Sequence, residues 1–145
     1  MKLSTRGRYG IRAMFDLALN AREGTQSIKA IAEREGIPEA YLEQLFAALR
    51  RDGLVTSTRG AQGGYALAKP AEAISVGDVL RAVEGNIDLA ECLEGDYACD
   101  KAGACPSKIV WRKLRDGMKA IVDGISLRDM IEDYRRMRAQ EDTTL

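Results

Sequence analysis

Two amphipathic stretches of this chain are separated only by Gly36-Ile37-Pro38, and that spacing constrains the fold more than any other feature. Before the break, Ile28, Ile31 and Ala32 recur at helical intervals behind Ser27, whose hydroxyl suits a helix N-cap. After it, Leu42, Leu45, Phe46 and Leu49 line a helix that runs to about Arg51, where Asp52-Gly53 stops it. Pro38 suits the first turn, where its missing N–H costs nothing. An earlier helix is predicted over residues 6–21, with Ile11, Met14, Phe15, Ala18 and Leu19 inward, and Ser4 or Thr5 as its cap.

A hairpin is expected next. Leu54-Val55-Thr56-Ser57 and Tyr65-Ala66-Leu67-Ala68 read as short strands around the glycine-rich segment Thr58–Gly64. Ser75 opens a fourth helix carrying Val76, Val79, Leu80 and Val83, and Gly85 ends it. Residues 86–105 are irregular and acidic. Pro106 starts a helix to about residue 123, along which Trp111, Leu114, Met118, Ile121 and then Ile125 are spaced three, four, three and four apart, the seam of a coiled coil. Ser126 with Asp129 resembles a capping box for a last helix through about Met137. The expected fold is therefore mainly α (α+β): a winged helix–turn–helix with a small β-hairpin wing and a long C-terminal dimerisation helix. The expected divisions are 1–85 for DNA binding, 86–105 for a cysteine-containing sensor loop, 106–138 for the dimerisation and closing helices, and 139–145 for a frayed polar tail.

Such a fold serves DNA when one helix enters the major groove and its partner braces it across the backbone. The exposed face of residues 38–51 offers the reading groups: Gln44 can bond an adenine edge, Tyr41 can reach a phosphate or thymine methyl, and Glu43 can accept from cytosine. At the hairpin tip, Arg59 can enter the minor groove or pair a phosphate, and Gly60 lets backbone approach the sugar–phosphate wall. Charge agrees with this division. Residues 1–69 hold 11 Lys+Arg against 7 Asp+Glu, whereas residues 70–145 hold 11 against 15. The glycine-rich tip lacks the Gly-Lys-Ser/Thr phosphate grip and opens no helix, which argues against nucleotide binding. No apolar run is long enough to span a bilayer, and no apolar run follows the N-terminus, so a cytoplasmic location with no membrane partner is expected. The chain has no histidine and no visible nucleophile–base pair, so neither an enzyme nor a small-molecule substrate is expected.

Three cysteines, Cys92, Cys99 and Cys105, form a C-x6-C-x5-C pattern that ends where a helix begins. An odd cluster without an export signal argues against a disulfide framework. Soft thiolates hold iron and bridging sulfide, and the Cys105-Pro106 helix start favours an anion. Structural zinc prefers closer cysteine pairs and four sulfur or imidazole ligands. A cluster-free thiol switch remains a second reading of the same residues.

Lys2-Leu3-Ser4-Thr5-Arg6-Gly7-Arg8-Tyr9, Tyr41-Leu42-Glu43-Gln44-Leu45-Phe46 and Arg59-Gly60 with Gly63-Gly64-Tyr65 resemble the IscR/NsrR/CymR family of bacterial winged-helix regulators. The resemblance runs over about residues 1–137. It implies a homodimer on a palindromic operator in double-stranded DNA, acting as a repressor or activator. The dimer interface would be Trp111, Leu114, Met118, Ile121 and Ile125, and the DNA contacts Ser4, Arg8, Tyr41, Glu43, Gln44, Arg59 and Gly60. In IscR-like members the glutamate matching Glu43 tunes which DNA class is accepted. The resemblance also implies an iron–sulfur cluster, of the 2Fe–2S kind in preference to 4Fe–4S, on Cys92, Cys99 and Cys105, and control of cluster-biogenesis genes. Cluster-binding members usually place a histidine three residues after the last cysteine; here that residue is Lys108. A fourth ligand would then come from Asp96, Asp100, Ser107, the other subunit or an outside molecule. Alternatives are a cluster-free thiol regulator of cysteine or sulfur metabolism and an iron–sulfur carrier that does not bind DNA.

Overall fold

The computed structural model describes residues 3–93 and 103–144. Six α-helices and one antiparallel hairpin follow in the order α1 (Thr5–Leu19), α2 (Ile28–Glu35), α3 (Glu39–Arg51), β1 (Val55–Thr58), β2 (Gly64–Leu67), α4 (Val76–Glu84), α5 (Pro106–Asp123) and α6 (Leu127–Thr144). Short 3₁₀ turns at Ala21–Glu23, Ala71–Ala73 and Glu91–Leu93 were not legible from periodicity, being too short to show one.

Local chemistry sets the helix starts. Ser4 accepts from the Gly7 N–H at 3.1 Å and Ser27 from the Ala30 N–H at 3.1 Å. Ser75 and Asp78 form a reciprocal capping box on α4, and Ser126 and Asp129 form one on α6. Gly36 ends α2 in the left-handed conformation expected of a glycine stop.

The core is built by Met14 and Leu17 of α1, Ile31 of α2, Leu42, Leu45, Phe46 and Leu49 of α3, and Val79 and Val83 of α4. Leu127 and Ile131 of α6 belong to the same cluster. α6 thus returns to α1, where Phe15 and Tyr134 meet edge to face at 5.4 Å. The helix also continues past the expected end at Met137 to Thr144, carrying the turn-spaced pairs Arg136–Asp133 and Arg138–Glu141.

A second tie fixes the joint between α5 and α6. The Val76 N–H donates to Ile125 O at 2.8 Å, and the Leu127 N–H to Ile74 O at 2.9 Å. The Arg81 guanidinium bonds Asp123 at 2.7 Å. These contacts hold the C-terminal end of α5 against α4, yet no residue of α5 is buried within the chain.

Candidate nucleic-acid interface and cysteine segment

The α2–turn–α3 unit is braced from behind by a buried charge. Asp16 of α1 is only 3% exposed, and an unpaired carboxylate there would cost several kcal/mol. Arg34 of α2 answers it with bonds of 2.7 to 3.2 Å to both carboxylate oxygens. The Asp16 hydrogen bond, only partly offset by burial, holds the Arg34 proton more tightly than usual. Arg34 also donates to Gln26 Oε1 at 2.8 Å. Gln26 is itself buried and joins the hairpin: its N–H donates to Tyr65 O at 2.9 Å, and its carbonyl accepts from the Tyr65 N–H at 2.8 Å. The Tyr65 ring lies 4.6 Å from that of Phe46 on α3. One network thus fixes α1, α2, α3 and the hairpin relative to each other.

Two glycines make this packing possible. Gly64 has φ +153°, and a Cβ there would collide with the Gln26 carbonyl. A Cβ on Gly63 would strike the Thr58 carbonyl. The hairpin tip beyond them, with Arg59 and Gly60, is exposed.

On α3 the buried stripe leaves Glu43 and Gln44 exposed, with Ala40, Ala47, Arg50 and Arg51 on the same outward side. Tyr41 is half-buried: its ring meets Tyr9 edge to face at 5.4 Å and packs on the core. Its sequence-based assignment as a DNA contact thus falls on a side chain that also joins α3 to α1. Arg12 stacks over Tyr9 at 5.5 Å and pairs with Glu35, closing the turn region from the side. Ser4 and Arg8 are exposed at the start of α1, close in sequence to Arg6, whose Nε donates to Val83 O at 2.6 Å.

The cysteine segment is described at its two ends. Cys92 lies in the 3₁₀ turn packed against α5, and Cys105 is the N-cap of α5; both are half-buried free thiols. Cys99, Asp96 and Asp100 lie outside the described residues. Ser107 is exposed in the first turn of α5. Among the described residues, no three cysteine, aspartate or glutamate side chains gather to hold a metal. Along α5, Trp111, Leu114 and Ile121 are exposed and Met118 is half-buried; Ile125 falls in the turn after the helix and is also exposed.

A reading helix braced by its neighbour, followed by a glycine-tipped hairpin pinned to it, defines a winged helix–turn–helix protein. The chain belongs to the Rrf2 family, described as iron-dependent transcriptional regulators, whose model matches residues 3–133. It is 41% identical over 133 residues to the HTH-type transcriptional regulator IscR of Erwinia tasmaniensis, covering 92% of this chain and 80% of that one. The solved structure of T. potens IscR matches with TM-score 0.76 and 46% identity, over 92% of this chain and 88% of that one. The structure of CymR, the global cysteine regulator of B. subtilis, matches with TM-score 0.74 and 43% identity, over 90% and 95%. The chain is a DNA-binding transcriptional regulator, not an enzyme. Among the described residues, no helix is long and apolar enough to cross a membrane.

Proposed function

We propose that the protein is a homodimeric regulator that reads a palindromic operator with two copies of α3 and the wing, and that its three cysteines report iron–sulfur status to those reading heads. Glu43 and Gln44 of α3 face base edges in the major groove, and Arg59 and Gly60 of the wing meet the backbone or minor groove. Tyr41 contributes its hydroxyl edge from a half-buried ring, and Ser4 and Arg8 contact phosphate at the start of α1. Trp111, Leu114, Met118, Ile121 and Ile125 pair with a second copy across the two-fold axis.

The cysteine chemistry fits a cluster. Cys92 and Cys105 are free thiols at the two ends of one segment, and Cys99 lies between them in sequence. Three thiolates would hold a cluster, with Asp96, Asp100, Ser107, the partner subunit or an outside molecule completing the set, since the chain has no histidine. We favour the 2Fe–2S form over 4Fe–4S, as the resemblance to IscR-like regulators implies. When bound, a cluster supplies an occupancy- and redox-dependent anchor for residues 86–105. The chain does the rest. Ordering this segment against α5 sets the angle at which two α5 helices cross, and so the separation of two reading heads. Genes for cluster assembly are the expected targets.

The observation that carries this reading is the position of Cys105 as the N-cap of a helix whose apolar face is left uncovered among the described residues. Anaerobic purification with iron and sulfide analysis tests it. A coloured protein with stoichiometric iron and sulfide is expected, and Cys92→Ala is expected to lose both and to change DNA affinity or site preference. A colourless wild type means thiols or zinc in place of a cluster. Equal DNA binding by loaded protein and Cys92→Ala removes the sensing claim.

A further inference from the structure

The last turn of α4 and the first turn of α1 cap each other. Arg6 of α1 donates its Nε to Val83 O, one of the end carbonyls of α4, at 2.6 Å. In return, the Glu84 carboxylate of α4 accepts the Gly7 N–H, one of the end donors of α1, at 3.1 Å. Each helix end leaves backbone groups without intrahelical partners, and each here receives a side chain of the sign its dipole favours. The two helices also approach closely. Gly10 packs under Val83, and a Cβ added at Gly7 would stand 2.9 Å from Glu84 Oε1.

The clasp sits at a junction in the chain. On the α1 side it holds the turn that carries Ser4 and Arg8, both exposed. On the α4 side the chain leaves Glu84 through Gly85, whose φ of +86° only glycine adopts readily, and runs directly to Cys92. Between them, Asp88 lies 3.9 Å from Arg115 of α5.

We propose that Arg6 and Glu84 are positioning residues that couple the cysteine segment to the DNA-facing end of α1. This rests on the DNA-binding and cysteine-sensing reading above. Coupling between two sites is reciprocal in free energy, so a conformation of the cysteine segment that favours DNA binding is itself favoured by DNA, and the exposure of Cys92 reports that shift. This makes the coupling measurable without any cluster.

The probe is the alkylation rate of Cys92 by iodoacetamide, followed by mass spectrometry, with and without a mixed-sequence 30-base-pair duplex of about that length at low salt. Fluorescence anisotropy on the same samples reports DNA occupancy. In the wild type, saturating DNA is expected to slow Cys92 alkylation about fivefold or more. Glu84→Ala and Arg6→Ala, which remove the acceptor and the donor, are expected to still bind the duplex but to show less than about a twofold effect, while Arg6→Lys retains most of it. A merely structural role would lower melting temperature in these variants and leave the DNA-dependent ratio unchanged. The proposal is overturned if wild-type protein binds DNA with no change at Cys92, or if both alanine variants keep the wild-type ratio. No DNA binding by wild type overturns the reading on which the proposal rests, and anisotropy separates that case from the others.

Discussion

At the scale of single residues, the most consequential side chain is Arg34, which reaches from the surface to the buried Asp16. Among the described residues it is the partner that keeps the Asp16 carboxylate from being an unpaired buried charge, and it also orients Gln26, the residue that pins the hairpin. Arg34→Met keeps the apolar stem and removes the donors, leaving Asp16 buried without its cation. A loss of about 3 kcal/mol in urea unfolding is expected, because breaking a buried pair costs more than the pair itself contributes. The same variant should loosen the wing, since the Gln26 side chain loses a bond at the point where its backbone meets Tyr65. None of this was visible in the sequence. Asp16 sits on a helix among apolar residues and reads as a solvated acid, and its partner lies 18 positions away.

Elements are governed by their ends. Asp78 in the α4 capping box is pulled two ways: burial raises its proton affinity, while the Ser75 amide and hydroxyl and the Arg81 guanidinium lower it, and the lowering wins. A carboxylate depressed below its usual 3.8 stabilises the fold fully above that value and stops doing so as pH falls through the lower, folded-state value. Asp78→Asn is therefore expected to cost about 1 kcal/mol at neutral pH, the typical worth of a cap, with the difference from wild type shrinking below pH 3.8. Urea melts across the acid range check this. Elements of this kind were the legible part of the chain. Ser27, Ser75 and Ser126 announce helix starts because capping is local chemistry, and the exposed face of α3 follows from its apolar stripe. Illegible were contacts between elements: the Gln26–Tyr65 bridge, the Arg6–Val83 bond and the return of α6 to the core, all of which depend on tertiary placement. Of the candidate site, Glu43, Gln44 and Arg59 are exposed as their spacing implied, whereas the environment of Tyr41 depends on Tyr9, a residue of another helix.

For the whole molecule, the decisive fact is an 18-residue helix with no buried residue, held at one end by Asp123 and the Ile125 carbonyl and carrying an apolar stripe toward solvent. In the homodimer we propose, a second copy covers that stripe, since a two-fold axis pairs each seam with itself. Leu114→Glu places a charge in the seam without touching the core, so a monomer by sedimentation with an unchanged helical spectrum is expected. That monomer should also bind DNA weakly, because one reading head replaces two. Whether α3 and the wing meet a duplex together is read by fluorescence anisotropy across a salt series, comparing an operator selected from a random pool with a mixed-sequence duplex. Gln44→Ala is expected to cost about 1–3 kcal/mol on the selected site and little on the mixed one, and Arg59→Ala to weaken both and reduce the salt slope by about 1. Wild-type affinity on both duplexes for both variants would mean that α3 and the wing do not read DNA.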